Sequence, residues 1–262
     1  MIQLFHILFY ISYSITDKGI NLRFPIRRGV IIGPNMTNNI GALNEQPLHA
    51  ALKDWYAGHS GQTEVAVEGY VIDIIKECQL IEIQTGNFSA IKTKLLHLVK
   101  NNRIKLVYPI AVQKWLLKLP IDNAGSPERR KSPKREALVQ IFNELVSFPE
   151  LLTHESFSLE LAIIHEEEVR KHTGEKPWYR NGWVIVERRL IDVVDNIGYQ
   201  NGSELSQLLP VNLPVSFTTG DIAKALQQPR WLAQKMAYCL RKMGTIECIG
   251  KKGRSNLYKR IC

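Results

Sequence analysis

Two carboxylates stand out by their surroundings. Asp73 closes the run Val67-Glu68-Gly69-Tyr70-Val71-Ile72-Asp73, and Glu82 lies inside Leu80-Ile81-Glu82-Ile83-Gln84-Thr85. A strand alternates its side chains, so Glu82 and Gln84 share one face while Ile81 and Ile83 take the other. Acidic groups projecting from neighbouring strands can hold a hard divalent cation through oxygen ligands. Such a cation polarises a phosphodiester and lowers the pKa of a bound water, which then supplies a nucleophile. The bland alternative makes Asp73 a turn residue and Glu82 a surface charge. Against it, Glu82 is flanked by Leu80, Ile81 and Ile83. A lone carboxylate among apolar side chains is costly unless paired or metal-bound.

The segments around these residues read as elements that could position them. Residues 43–57 form a helical pattern, with Leu48, Leu52 and Trp55 on one face, Pro47 in the first turn and Gly58 as a stop. Residues 64–76 are rich in Val and Ile and read as a strand. Residues 79–85 read as a second strand, and the short connection between them suggests a hairpin-like pair. Residues 89–101 are amphipathic, with Ile91, Leu95, Leu98 and Val99 inward and Lys92, Lys94, His97 and Lys100 largely outside that face. Residues 103–112 are apolar enough for a buried third strand. A strand–helix–strand unit of this kind predicts a mixed sheet with a right-handed crossover.

This pattern resembles the PD-(D/E)XK nuclease superfamily, especially its archaeal junction-resolvase-like and restriction-endonuclease-like branches. The resemblance covers residues 43–112. It implies a Mg²⁺ or Mn²⁺ ion held by Asp73 and Glu82, with the Ile83 carbonyl as a third ligand. It also implies that Glu45, in the leading helix, completes the metal site. Gln84 stands where the family usually has lysine. Glutamine brings no positive charge, but it can orient water and phosphate by hydrogen bonds. The expected catalytic set is therefore Glu45, Asp73, Glu82 and Gln84. An isolated Asp-x(8)-Glu-x-Gln would occur often by chance; the order of elements around it gives it weight.

Residues 123–135 break the periodic pattern. They hold Gly125, Pro127 and Pro133 beside Arg129, Arg130, Lys131, Lys134 and Arg135, and read as a basic linker, either solvated or contacting phosphate. Residues 136–148 read as a helix. Residues 157–171 are ambiguous, with a helix favoured by Glu166, Glu167 and Glu168, and residues 183–194 look strand-like and then helical. No topology is assigned over 149–215.

The last segment is clearer. Thr218-Thr219-Gly220-Asp221 is a capping-box-like start with Asp in place of Glu or Gln. A short helix follows, then a turn at Gln227-Gln228, and Pro229 opens a second helix that carries Leu232, Met236 and Leu240 inward and stops at Gly244. Two short strands surround Gly250-Lys251-Lys252-Gly253-Arg254. This resembles a winged-helix DNA-binding domain. By that resemblance Arg230, Gln234, Lys235, Tyr238, Arg241 and Lys242 would face DNA, and Lys251, Lys252 and Arg254 would meet backbone phosphates from the wing. Winged helices also serve as protein-interaction modules. Glu247 is the lone acid between Pro229 and Cys262, which favours DNA.

The expected fold class is α/β (α+β): a restriction-endonuclease-like core with a mixed sheet, plus a C-terminal winged helix-turn-helix. The chain divides into an N-terminal extension (1–35), the nuclease-like core (36–121), the basic linker (122–135), a helical or mixed connection (136–215) and the winged helix (216–262). Residues 1–15 are largely apolar but too short for a membrane span, and they lack the basic stretch and cleavage site of a signal peptide. A tail packed on the core, a weak anchor and an upstream extension of the reading frame all fit. The last is favoured, because Met36 opens a polar segment before the first helix.

Composition agrees with a nucleic-acid partner. The chain has 262 residues, with 34 Lys+Arg against 25 Asp+Glu and a net charge of +9, which suits a polyanion. No two of the four cysteines are spaced as Cys-x-x-Cys, which fits a reducing, cytoplasmic setting and small core roles for Cys78 and Cys239. His172-Thr173-Gly174-Glu175-Lys176-Pro177 matches a zinc-finger linker, but no cysteine pair precedes it. Trp178, Tyr179 and Trp183 could stack on bases, though aromatics around glycine are more often core. The expected function is a metal-dependent endodeoxyribonuclease positioned by its winged helix. The alternatives are a catalytically silent DNA-binding regulator on the same scaffold and a protein-binding adaptor. Cutting both strands calls for two sites, which a homodimer would supply. No membrane partner is expected.

Overall fold

The computed structural model describes residues 46–121, 125–174 and 182–261. Glu45, the 1–35 extension, Trp178, Tyr179 and the end of the zinc-finger-like linker lie outside the described residues. Helix α1 (Pro47–Ala57) begins with proline in its first turn, where a missing N–H is harmless. Its buried stripe is Leu48, Leu52 and Tyr56, at regular four-residue spacing. Trp55, expected inward, is 43 % exposed and meets the Tyr56 ring edge-on at 4.8 Å.

The segment read as one strand is two. Strands β1 (Gln62–Val67) and β2 (Tyr70–Lys76) form a hairpin across Glu68 and Gly69, both at positive φ. That conformation matches the twist of a two-residue hairpin, and Gly69 adopts it without steric cost. Strand β3 (Gln79–Ile83) returns antiparallel to β2 across Glu77 and Cys78. Cys78 is therefore exposed at a turn and not in the core, whereas Cys239 is buried. Helix α2 (Phe88–Leu98) leads to strand β4 (Arg103–Lys118), which runs parallel to β3.

The next region adds three more strands. Strand β5 (Glu128–Lys131) pairs antiparallel with the far end of β4, inside the segment read as a basic linker. A 3₁₀ turn (Leu138–Ile141) and the one-turn helix α3 (Phe142–Leu145) stand where a helix over 136–148 was expected, and a second 3₁₀ turn (Pro149–Thr153) follows. Strand β6 (Phe157–His172) is parallel to β4, and β7 (Trp183–Tyr199) returns antiparallel to β6. The helix favoured over 157–171, and the helical end expected over 183–194, are strands throughout. The acid triplet explains the first. Alternation sends Glu166 inward to Lys114 (2.7 Å) and Arg188 (2.5 Å), and Glu168 to Arg170 (2.9 Å), while Glu167 points the other way to Arg129 (2.7 Å). These ion pairs, cross-strand for Glu166 and Glu167 and within β6 for Glu168, satisfy charges that look, in sequence, like a solvated helix face.

The sheet order is β1-β2-β3-β4-β6-β7, with β5 on the end of β4. The result is a mixed α/β architecture. One face buries Ile81, Ile83, Val107 and Ile164 against Leu48 and Leu52 of α1. The other buries Leu80, Leu106 and Leu159 under α2, α3 and the C-terminal helices, and there Phe88 stacks on Phe148 at 5.3 Å.

After the one-turn helix α4 (Gly202–Leu205) comes a small three-stranded unit. Its parts are β8 (Ser216–Phe217), α5 (Thr219–Leu226), α6 (Arg230–Lys242), β9 (Ile246–Lys252) and β10 (Ser255–Arg260), with strand order β8-β10-β9. Thr218 and Asp221 make the reciprocal capping box, and Gln227 ends α5 in the left-handed region. Gly244, at φ +72°, takes the chain out of α6. Leu232, Met236 and Leu240 are buried against the large sheet's α2–α3 layer. Among the described residues no helix is long and apolar enough to cross a membrane.

Candidate functional site

The large sheet is interrupted at Asp73. Pairing of β2 with β3 ends at Ile74–Ile81, one rung before Asp73 would face Glu82. Pairing of β1 with β2 runs from Thr63–Ile74 to Val65–Ile72 and passes over Asp73 as well. Side chains replace the missing rungs. The Ile83 N–H donates to Asp73 Oδ2 at 2.8 Å, and the Asp73 N–H donates to Glu82 Oε1 at 3.3 Å. Each carboxylate thus holds the backbone of the other's strand, and both stay side by side in a site that is largely buried.

A histidine and a lysine reach this pair from helices. His49, on α1, places Nε2 3.2 Å from Asp73 Oδ2 and 2.9 Å from the Ile83 carbonyl oxygen. Two acceptors around one nitrogen put the ring proton on Nε2. Lys94, on α2, places Nζ 2.5 Å from Glu82 Oε1 and donates to the Val71 carbonyl. Lys94 was expected on the outer face of its helix; it turns inward to the acids.

These surroundings separate the two carboxyls. Burial works to raise Asp73, but the hydrogen bond and charge of His49, the Ile83 N–H and the charge of Lys94 hold it below the usual carboxylate value. Burial pushes Glu82 up, and the Asp73 charge beside it adds to this; against Lys94 they carry it to about 7. One proton is therefore shared unequally, with Asp73 ionised and Glu82 the group that titrates near neutrality.

The remaining expected site residues are dispersed. Gln84 follows β3, and its amide nitrogen donates to the carbonyls of Gly86 and Asn87, so it braces the loop into α2 and leaves only its oxygen free to turn elsewhere. Among the described residues no three His, Cys, Asp or Glu side chains cluster as a metal cage. The oxygens that could take a cation are Asp73 Oδ2, the Ile83 carbonyl and the Glu82 carboxyl. The first two converge on one point, the place of His49 Nε2.

A second surface lies on α6. Arg230, Gln234, Tyr238 and Arg241 recur along one exposed stripe. Trp231, 50 % exposed, and Tyr238, 40 % exposed, put two aromatic rings on this side. Lys235 and Lys242, expected to face outward for DNA, are partly engaged with the body. Lys235 lies over the Trp231 ring and donates to the Asn143 carbonyl at 3.5 Å, and Lys242 pairs with Glu150 at 2.9 Å. Lys251 and Lys252 end β9 and Arg254 sits in the turn after it, all exposed.

Residues 46–200, more than half of the chain, match the family described as a domain of unknown function, DUF8091. The chain belongs to the DUF8091 family. The DUF8091 region begins one residue before α1 and ends one residue past β7, so it contains the whole large sheet with His49, Asp73, Glu82 and Lys94. The α5–α6 unit and its hairpin lie beyond it. The chain is also 29 % identical over 224 residues, 84 % of this chain and 87 % of the other, to an uncharacterized protein of Treponema pallidum (strain Nichols). No solved structure matches it.

Within the DUF8091 region, sequence reading missed His49 and Lys94. His49 sits beside Leu48 on an apolar helix, and Lys94 sits among Lys92, His97 and Lys100, polar residues in and just after α2 that were expected outside. The signal available was that both lie on the helices that bracket the acid-bearing strands. Outside the region it missed Trp231, which the inward set of Leu232, Met236 and Leu240 leaves unassigned.

Proposed function

We propose that this protein is a Mg²⁺- or Mn²⁺-dependent endodeoxyribonuclease of the PD-(D/E)XK type, set on DNA by a C-terminal winged helix. The observation that carries the reading is the break in the sheet at Asp73. It brings Asp73 Oδ2 and the Ile83 carbonyl to one point beside the Glu82 carboxyl. These are hard oxygen donors, suited to a small divalent cation. The order of elements supports the same reading: a helix, three antiparallel strands, a helix and a parallel fourth strand form the mixed core that the resemblance implies. The helix pair with its basic hairpin supports the winged helix.

A bound cation would polarise the scissile phosphodiester and lower the pKa of its water. The chain's own residues do the rest. Asp73 is kept ionised and anchored through Ile83. Glu82 lies between Asp73 and Lys94 and can exchange a proton near neutral pH. Lys94 supplies, from α2, the positive charge that Gln84 cannot bring from β3. His49 occupies the convergence point with an N–H, so an entering cation must move that ring aside. The exposed stripe of α6 contacts DNA with side chains that carry little acidic charge around them.

One observation favours a second reading. Both acids already have side-chain partners, His49 for Asp73 and Lys94 for Glu82, which satisfies them without a metal and suits a silent scaffold that binds DNA. Purified protein incubated with plasmid and with branched DNA in Mg²⁺ or Mn²⁺, beside Asp73→Ala and Glu82→Ala, separates the two. Cleavage by wild type and loss in both variants supports the nuclease. Salt-sensitive DNA binding with no cleavage supports the silent regulator.

A further inference from the structure

The C-terminal unit contains a cleft of about 180 Å³ between the start of α6 and the hairpin. Arg230 and Gln234 line it from α6, Thr219 from the start of α5, and Arg254, Ser255, Asn256 and Tyr258 from the hairpin. Among the described residues no carboxylate borders it. The Arg230 guanidinium donates to Ser255 Oγ at 2.8 Å, which holds it across the cleft towards the hairpin. Neither Arg230 nor Arg254 is paired with a carboxylate among the described residues, in a molecule where Arg129, Arg170, Arg188 and Arg189 all are.

Two guanidiniums, three hydroxyls and two carboxamides around one small space make a donor-rich, positively charged cradle. Guanidinium forks match a tetrahedral oxyanion in geometry as well as charge. The volume selects further. Pockets that enclose a drug-sized organic ligand span roughly 300–1,000 Å³. This cleft is smaller. It has room for a phosphate group and a few waters, at about 30 Å³ each, with the rest of the ligand outside. A group of that kind, attached to a larger molecule that continues over the exposed face of α6, is a backbone phosphate of a nucleic-acid strand.

We propose that the Arg230–Arg254 cleft seats one phosphate group of a nucleic-acid backbone and so fixes the register of α6 on the strand. The proposal rests on the DNA-positioning half of the function given above and is independent of the acid pair. The cleft joins α6 to the hairpin, so a phosphate held there ties the exposed stripe of Gln234, Tyr238 and Arg241 to a defined place along the duplex.

The test uses the full chain and a fluorescent 20-base-pair duplex in EDTA, so that no cleavage chemistry enters. Arg230→Gln/Arg254→Gln is expected to weaken binding about tenfold or more and to reduce the slope of log K against log salt by about 0.9, one phosphate's worth. Arg230→Lys/Arg254→Lys keeps the charge but loses the fork, and is expected to weaken binding at least threefold. Both arginines are exposed, and matched thermal unfolding confirms that the variants fold. Inorganic phosphate is titrated in parallel against the arginine Nε–Hε resonances. Saturable shifts at Arg230 and Arg254, together with loss of DNA affinity in the lysine variant, support the proposal. Saturable phosphate binding without DNA binding overturns the nucleic-acid assignment and transfers the site to a free phosphate ligand. DNA binding by the lysine variant equal to wild type, with no saturable phosphate shift, overturns the site itself.

Discussion

The two candidate regions satisfy their polar groups in opposite ways. At the break in the large sheet, every polar side chain is largely buried and has a partner inside the protein: Asp73 with His49 and Ile83, Glu82 with Lys94 and the Asp73 backbone. On α6 and its hairpin, Arg230, Gln234, Tyr238, Arg241 and Arg254 are exposed, and among the described residues none is paired with an acid. The first arrangement is pre-organised and shifts pKa values; the second leaves its cations open to solvent. Under the proposed function, changes at the acid pair should act on stability, protonation and cleavage, and changes on α6 should act on DNA affinity and its salt dependence.

The comparison breaks most sharply at Lys94. Lys94→Met leaves the buried Glu82 carboxylate without its cation, beside another negative charge. Breaking a buried pair costs on the order of 3 kcal/mol at pH 8. The loss should shrink at pH 5, where Glu82 is protonated in the folded state and no charge is left to strand. Urea unfolding at the two pH values measures both; equal losses would show that the pair is not the cause.

Glu82 gives the next largest effect. Its folded pKa, about 7, is above its ordinary value of 4.5, so the folded state holds a proton that the unfolded state has lost. Stability therefore falls as pH rises from 4.5 to 7, and the penalty is complete above 7. Asp73→Asn removes a charge that raises Glu82, so its titration midpoint should drop and this slope should flatten. Side-chain carboxyl ¹³C chemical shifts of the metal-free protein follow the midpoint directly.

On the other region, Tyr238→Ala/Arg241→Ala should weaken duplex binding about tenfold, roughly 1.4 kcal/mol by the conversion of affinity to free energy. The Glu82 midpoint should stay in place. A shift of that midpoint would mean that the two regions are coupled and that the contrast drawn between them is false. The smallest effect is local: Thr218→Ala removes one half of a capping box and should cost about 1 kcal/mol, by calorimetry, without changing cleavage.

Much of this was legible in the sequence where the signal is local. The capping box at Thr218 and Asp221, Pro229 before α6 and Gly244 after it are set within a few residues by backbone chemistry, and they fall where expected. The acid-bearing strands were legible for the same reason, through alternation around Glu82. What was not legible depends on partners far along the chain. Glu166, Glu167 and Glu168 read as a helix because their neutralising groups, Lys114, Arg129 and Arg188, sit on other strands. The turn at Glu68 and Gly69 was hidden by the apolar run on both sides of it. His49 and Lys94 lie 24 and 12 residues from their carboxylates, and nothing in their own neighbourhoods marks them as more than helix-surface groups. Gln84, placed by sequence among the catalytic residues, has its amide nitrogen committed to the Gly86 and Asn87 carbonyls.

The central claim is that Asp73 and Glu82 form a cation-dependent site for cutting DNA. It is tested most directly by the initial rate at which wild type and Asp73→Asn nick supercoiled plasmid in Mg²⁺, at protein concentrations that saturate the DNA. Asparagine keeps the size of the side chain and removes its charge. The account predicts Mg²⁺-dependent nicking by wild type, abolished by EDTA, and a rate about 10²-fold lower in the variant, the scale on which loss of one charge-stabilising group is felt. Equal rates for the two proteins, or nicking that persists in EDTA, would contradict it.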